Sequence, residues 1–423
     1  MIYYKRKKSE NMRAIVLSGG GSKGAYQIGV WAALRKLNIH YDIVTGTSVG
    51  ALNAALMTQK TFYKGLYFWH NLNSKMIFNE ELKEDYHTKE GKKNILKWYA
   101  KGILNGGIDV KGLEKTIQHV IDPKKIFKSN VDMGIVTFNM KTLKPKIMKK
   151  KDLNEQNLCD YLLASASCFP AFKMKKIEEE NYIDGGIYDN LPINLALDLG
   201  ATEIIAVDLK EVGFKQKVKD PKIPITTIQP RNDIGSFLIF ERDMARRAIK
   251  LGYNDTLKVM NELDGEKFTF KKNDLEKNYK KYKDLYLFHL QNTLTNKTHK
   301  NLIDSILNLS AIKRILSKKE MKKEYTSIIE DLGTIFGLCD SSIYSISKYN
   351  KLLKEEFFKI EENQEIENMI KQNRFKSILN HKATIKYIYN LLDTKNKKKL
   401  YGIILLFPKM FLEVLYLKTI IEK

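Results

Sequence analysis

Two short apolar runs end in glycine and pass directly into helical patterns, and this constrains the fold more than any other feature of the 423 residues. Ala14–Ser18 (AIVLS) reads as a buried strand. It meets Gly19–Gly24 (GGGSKG) and continues into Ala25–Leu37, where apolar residues fall at helical spacing. Tyr41–Gly46 (YDIVTG) reads as a second strand and Val49–Met57 as a second helix, with only Thr47 and Ser48 between them. MGIVTFN, TEIIAVDL and IPITTIQ are later strand candidates. Strand–helix alternation predicts an α/β fold in three layers, with a mostly parallel sheet covered on both faces.

The pattern stops near Met260. Twenty of the 24 glycines precede that point, and seven of the eight prolines lie at or before Pro230. Loss of both punctuating residues predicts long helices with short connections. We therefore expect a basic tail at 1–11, an α/β domain at 12–259 and a mainly helical region at 260–423. Met12 is a candidate start. The apolar run at Ala14–Leu17 is too short for a signal peptide, whose core runs ~7–15 residues. The stretch Tyr401–Lys423 is apolar but interrupted by Pro408, Lys409 and Glu413. A docked amphipathic helix pair is the expectation there, with an interfacial membrane helix as the alternative.

The net charge is +24. An anionic membrane surface or nucleic acid would suit such a field, but no nucleic-acid recognition motif accompanies it. The three cysteines lack metal-ligand spacing and fit a reducing compartment.

Three motifs carry chemistry. Gly46–Gly50 (GTSVG) matches G-x-S-x-G, in which a sharp strand-to-helix turn exposes a nucleophilic serine, here Ser48. The competing reading is a serine that merely caps the following helix. Gly19–Gly24 opens a helix, where consecutive amides favour an anion. It is not a P-loop, because Lys23 precedes Gly24. Gly19, Gly21 and Gly24 do formally fit a dinucleotide fingerprint, but Asp42 stands at the start of the second strand rather than its end. The third option is an oxyanion hole, with the Gly20 and Gly21 amides aimed at developing charge. Tyr182–Gly186 (YIDGG) supplies Asp184. Its bland reading is an Asp-Gly turn. None of the seven histidines ends a strong strand beside a glycine or proline loop, so a Ser–Asp dyad is expected in place of a triad.

Taken in this order, the motifs resemble the patatin-like phospholipases, especially bacterial members. SGGGSKGAYQIGV resembles the family's glycine-rich block, VTGTSVGALNAA its nucleophile elbow, ASASCFPAF and IDGGIYDNLPI its aspartate region. LGATEIIAVDL and ERDMARRAIKLGYNDT resemble later elements. The resemblance covers Met12–Thr256. It implies that Ser48 forms an acyl-enzyme, that Asp184 accepts its proton, and that Gly19, Gly20 and Gly21 hold the oxyanion. Ser22, Lys23, Gly24, Gly46, Gly50, Gly185 and Gly186 would support these motifs, Lys23 by steadying the loop or attracting a lipid phosphate. Phospholipid or lysophospholipid esters are the implied substrates, with no metal or cofactor. A cytoplasmic enzyme peripheral to the inner membrane face is the expectation; oligomerisation stays open. A non-catalytic lipid- or nucleotide-binding module on the same fold is the rival.

Overall fold

Arg13–Leu17 forms strand β1 and Ile43–Thr47 strand β2, where the apolar runs predict them. Each feeds a helix, α1 (Gly24–Lys36) and α2 (Val49–Thr58). The remaining strands are β3 (Asp132–Asn139), β4 (Lys144–Lys149), β5 (Lys175–Ile177), β6 (Glu180–Asp184), β7 (Glu203–Val207) and β8 (Ile225–Ile228). They build one sheet in the order β5-β6-β3-β2-β1-β7-β8, with β4 also paired to β3. Strands β3, β2, β1, β7 and β8 run parallel, and β4, β5 and β6 add antiparallel pairs. In this computed structural model the described residues are 11–423 except 79–81, 83, 87, 296, 362–380 and 395. The tail expected at 1–11 falls outside them, Asn11 excepted.

Central strands of a parallel sheet are covered on both faces, and β1 meets that condition: Ala14–Leu17 are at most 1% exposed. Side chains alternate along the strand. Ala14 and Val16 join Ile43, Ile204 and Ala196 in one cluster, with the helix Ile193–Asp198 over it. Ile15 and Leu17 point to the opposite face. Helix α1 is pinned to α3 (Arg242–Val259), because the Tyr26 hydroxyl donates to buried Asp255 at 3.0 Å. Between α2 and β3 the described residues of the chain form helices at Phe62–His70, Lys75–Phe78, Lys89–Leu104, Lys111–Val120 and Pro123–Lys128. The sequence motifs say nothing of this insertion.

The chain divides into two units, Met1–Val259 and Met260–Lys423. The second is mainly helical, with a small sheet of β9 (Leu263–Asp264), β10 (Thr269–Lys271) and β11 (Ile343–Tyr344). Its central element is α4 (Pro408–Ile421). Pro408 starts this helix, where its missing N–H costs nothing. Phe411, Leu412, Val414, Leu415, Tyr416 and Leu417 are fully buried in the core. No single helix among the described residues is long and apolar enough to cross a membrane. Lys397–Leu406 and α4 together are long and apolar enough, but the pair bends by 117° at its junction. α4 is packed in the core of the second unit.

Candidate active site

Strand register brings the three motifs to one level. Thr47 pairs with Val136 across parallel β2 and β3, so Ser48 lies level with Thr137. Thr137 in turn pairs with Asp184 on antiparallel β6. On the other side Leu17 pairs with Gly46, which sets Gly19 level with Ser48. Neighbouring strands are only ~4.8 Å apart, so a few strand widths collect all three blocks at the carboxyl edge of the sheet.

Ser48 turns sharply between β2 and α2, with φ 57° and ψ −129°. Such a conformation costs of order 1–3 kcal/mol and persists only where its surroundings enforce it. The flanking glycines explain how. A side chain at Gly46 would sit 2.2 Å from the Gly50 carbonyl oxygen, and one at Gly50 would sit 2.3 Å from that of Leu17. The Ser48 backbone N–H donates to the Ser165 hydroxyl at 2.9 Å, which itself donates to the Val136 carbonyl at 2.6 Å. Thr47 donates to the Asp189 carbonyl at 2.7 Å. The Ser48 side chain makes no capping bond to α2. It lies instead beside the Asp184 carboxyl, and both line one cavity. The helix-cap reading is thereby removed.

Asp184 ends β6. Its Oδ1 accepts the Gly186 N–H at 2.7 Å, so it also serves the turn. Burial pushes its carboxyl up to about 6, against the pull of the bonds from Ser48 and Gly186. Gly185 lies against the Val136 carbonyl, where a side chain would approach to 2.3 Å. Burial lifts a second aspartate, Asp189, to about 6 as well. Among the described residues the Asp189 carboxylate accepts the amides of Leu191 and Gln216, at 3.3 and 3.4 Å, and it does not line the cavity. No described histidine lines it either; His87 is outside the described residues.

The glycine loop divides in its roles. The Gly19 N–H donates to the Asn190 carbonyl at 3.1 Å, and the Ser22 N–H to that of Phe237 at 2.9 Å. The amides of Gly20 and Gly21 have no protein acceptor among the described residues. Gly21 holds φ 53°, with the Phe237 carbonyl oxygen 2.2 Å from where a Cβ would stand. Gly24 opens α1, against Val49 and Trp69. Ser22 donates to the Ser236 carbonyl at 2.9 Å. Lys23 is largely buried in an ion pair with Glu211, so it steadies the loop rather than standing free for a phosphate. Asp42 precedes β2, at the far end of the strand from the loop, and its Oδ2 accepts the Arg13 amide. A dinucleotide ribose would find no acid there.

Ser48, Asp184 and Gly19–Gly21 line a cavity of about 310 Å³. That is the size of a small-ligand pocket, and its wall is mainly apolar. Phe68, Trp69, Ile77 and Leu113 come from the inserted helices, and Leu72 from the connection between the first two. Sequence reading missed them because an aromatic helix face looks the same whether it fills a core or faces a cavity. At the mouth, Phe169, Ile187, Val212 and Phe214 line the cavity and are 37, 44, 100 and 71% exposed. Among the described residues no His/Cys/Asp/Glu group could hold a metal.

Residues 15–197 match the family model for patatin-like phospholipase. The chain is 26% identical over 202 residues to patatin-like phospholipase domain-containing protein 7 of Rattus norvegicus, covering 47% of this chain and 14% of that protein. It is 24% identical over 241 residues to patatin-like protein 2 of Oryza sativa subsp. indica, covering 49% of this chain and 57% of that one. The chain thus spans only a small part of the length of the animal relatives it matches. VipD from Legionella pneumophila aligns with a TM-score of 0.40 at 15% identity, over 94% of this chain and 90% of that one. The segment that matches the patatin-like phospholipase family, residues 15–197, holds the glycine loop, Ser48 and Asp184.

Proposed function

We propose that the first unit hydrolyses acyl esters of phospholipids or lysophospholipids through an acyl-enzyme on Ser48. The observation that carries this is the placement of Ser48 beside a buried carboxyl of raised pKa, both lining one mainly apolar cavity. Ser48 Oγ attacks the ester carbonyl carbon while its proton passes to Asp184. The negative oxygen of the tetrahedral intermediate takes the open amides of Gly20 and Gly21, and the N-terminus of α2 favours the same charge. Collapse breaks the ester C–O bond, and the departing alcohol receives the proton from Asp184. Water then attacks the acyl-enzyme, gives a proton to Asp184 and releases the fatty acid, the proton returning to Ser48. An acyl chain fits the apolar wall. Lipid product analysis of wild type beside Ser48→Ala tests the reading. Fatty acid should appear only with wild type; equal release from Ser48→Ala removes Ser48 from the reaction.

Membrane contact is part of this proposal. Four exposed apolar side chains ring the cavity mouth, and large exposed apolar groups beside a ligand cavity suit a lipid surface. The charge of +24 favours anionic lipid, at about 1 kcal/mol per basic residue near the surface. Val212→Asp with Phe214→Asp should lower binding to anionic vesicles at least tenfold and lower soluble-ester turnover by much less. Equal losses in both assays point to a damaged site instead.

A further inference from the structure

We propose that the side-chain amide of Asn190 is a third donor to the reacting carbonyl oxygen, a catalytic group beside the Gly20 and Gly21 amides. The inference rests on the acyl-hydrolase reading above. Asn190 is 3% exposed and lines the cavity, yet its Nδ2 has no hydrogen-bond partner. Buried polar groups in folded proteins are nearly always satisfied, and an exception at a reaction centre is where a ligand atom completes the set.

The surroundings fix this amide in place. Its backbone N–H donates to the Phe214 carbonyl at 2.6 Å, and its own carbonyl accepts the Gly19 N–H at 3.1 Å. Three glycines make room for the side chain. A Cβ at Gly19 would come within 2.3 Å of Asn190 Oδ1 and 3.0 Å of Ser48 Cβ. One at Gly186 would come within 3.0 Å of Asn190 Oδ1 and 3.1 Å of Asp184 Oδ1, and one at Gly213 within 3.1 Å of Asn190 Nδ2. The side chain is thus packed among the glycine loop, the nucleophile and the base with Oδ1 toward Gly19 and Gly186 and the unused N–H₂ toward Gly213, both backbone groups being committed, and a half-turn of the amide exchanges the two atoms. A donor held in advance beside a developing oxyanion gains most when the charge forms, because a hydrogen bond to a charged acceptor is roughly twice as strong as one to a neutral acceptor. Its effect therefore falls on kcat and not on KM.

The test compares Asn190→Ala and Asn190→Asp with wild type at pH 8. It uses a short-chain p-nitrophenyl ester and a trifluoromethyl ketone that forms a hemiketal oxyanion on serine. Both variants should lose about 10²-fold in kcat, keep KM within about threefold, and bind the ketone more weakly by the factor lost in kcat/KM. Should Asn190→Ala fail to fold, Asn190→Asp carries the test, since it conserves volume and removes only the donor. A kcat within threefold of wild type overturns the proposal. So does a loss of kcat with unchanged ketone affinity, which marks a packing role. A wild type without ester turnover, unlabelled on Ser48 by a fluorophosphonate, overturns the hydrolase reading and this inference with it.

Discussion

Each unit of the chain buries a carboxyl group and pushes its pKa up, but the two are placed in opposite ways. Asp184 stands at the end of a strand, accepts from Gly186, lies beside Ser48 and lines a cavity. Glu413 lies in the middle of α4, is 2% exposed, and has an Oε2 with no hydrogen-bond partner. Burial raises it to about 8; Asp331 adds to the shift while Lys409 and Lys267 oppose it. The same desolvation acts on both. What differs is what the group can reach. A sheet edge with glycine loops leaves space for a proton acceptor to meet a hydroxyl and a substrate. A helical core filled by Phe411, Tyr416 and their neighbours leaves none. A perturbed carboxyl marks a functional site only when an open cavity and a proton donor accompany it.

The comparison breaks most directly at Asp184. Asp184→Asn keeps an acceptor for Gly186 but cannot take a proton, and ester turnover should fall by ~10³-fold or more. The same change should stabilise the protein. The unfolded aspartate sheds its proton near 3.8, whereas the folded one holds it to about 6, so stability is greatest below 3.8 and falls as the pH rises through 6. The asparagine variant escapes that loss, worth roughly 3 kcal/mol at most above pH 7. Chemical denaturation monitored beside activity checks both halves, and a destabilised, active variant would refute them together.

Glu413→Gln should give stability without any change in chemistry. The folded glutamate keeps its proton to about 8, against 4.5 when unfolded. Stability of the second unit should therefore decline as the pH rises from 4.5 through 8, and the variant should flatten that decline by a few kcal/mol, roughly. Matching pH profiles for wild type and variant would show that Glu413 is not the group responsible. The mildest test is the pH–rate profile. With Asp184 as base, kcat/KM of wild type should rise about tenfold per pH unit below 6 and level off above it. A flat profile down to pH 4 would exclude a base of raised pKa.

Much of the site was legible because glycine and its neighbours act locally. GTSVG and GGGSKG set tight turns after apolar strands, and those turns appear where the residues require them. The cavity was not legible. Phe68, Trp69 and Leu113 sit on helices whose apolar faces give no sign of whether they meet protein or ligand. Nor was Asn190, although the IDGGIYDNLPI block contains it. Its meaning depends on Gly19, Gly186 and Gly213, which are near it only in the folded chain. The stretch at 401–423 was ambiguous because hydrophobicity alone does not distinguish a protein core from a lipid surface.

By itself, then, the sequence determined the alternation of strands and helices, the elbow at Ser48 and the glycine loop beside it, all of which follow from backbone preferences over a few residues. Tertiary structure decided the rest. Register set Asp184 level with Ser48 at the sheet edge. Pairing with Asn190 took the Gly19 amide out of the donor set and left Gly20 and Gly21 open. Packing made α4 a core helix. The physical reason is common to all three: burial, register and hydrogen-bond satisfaction depend on residues distant in sequence, which only the completed fold brings together.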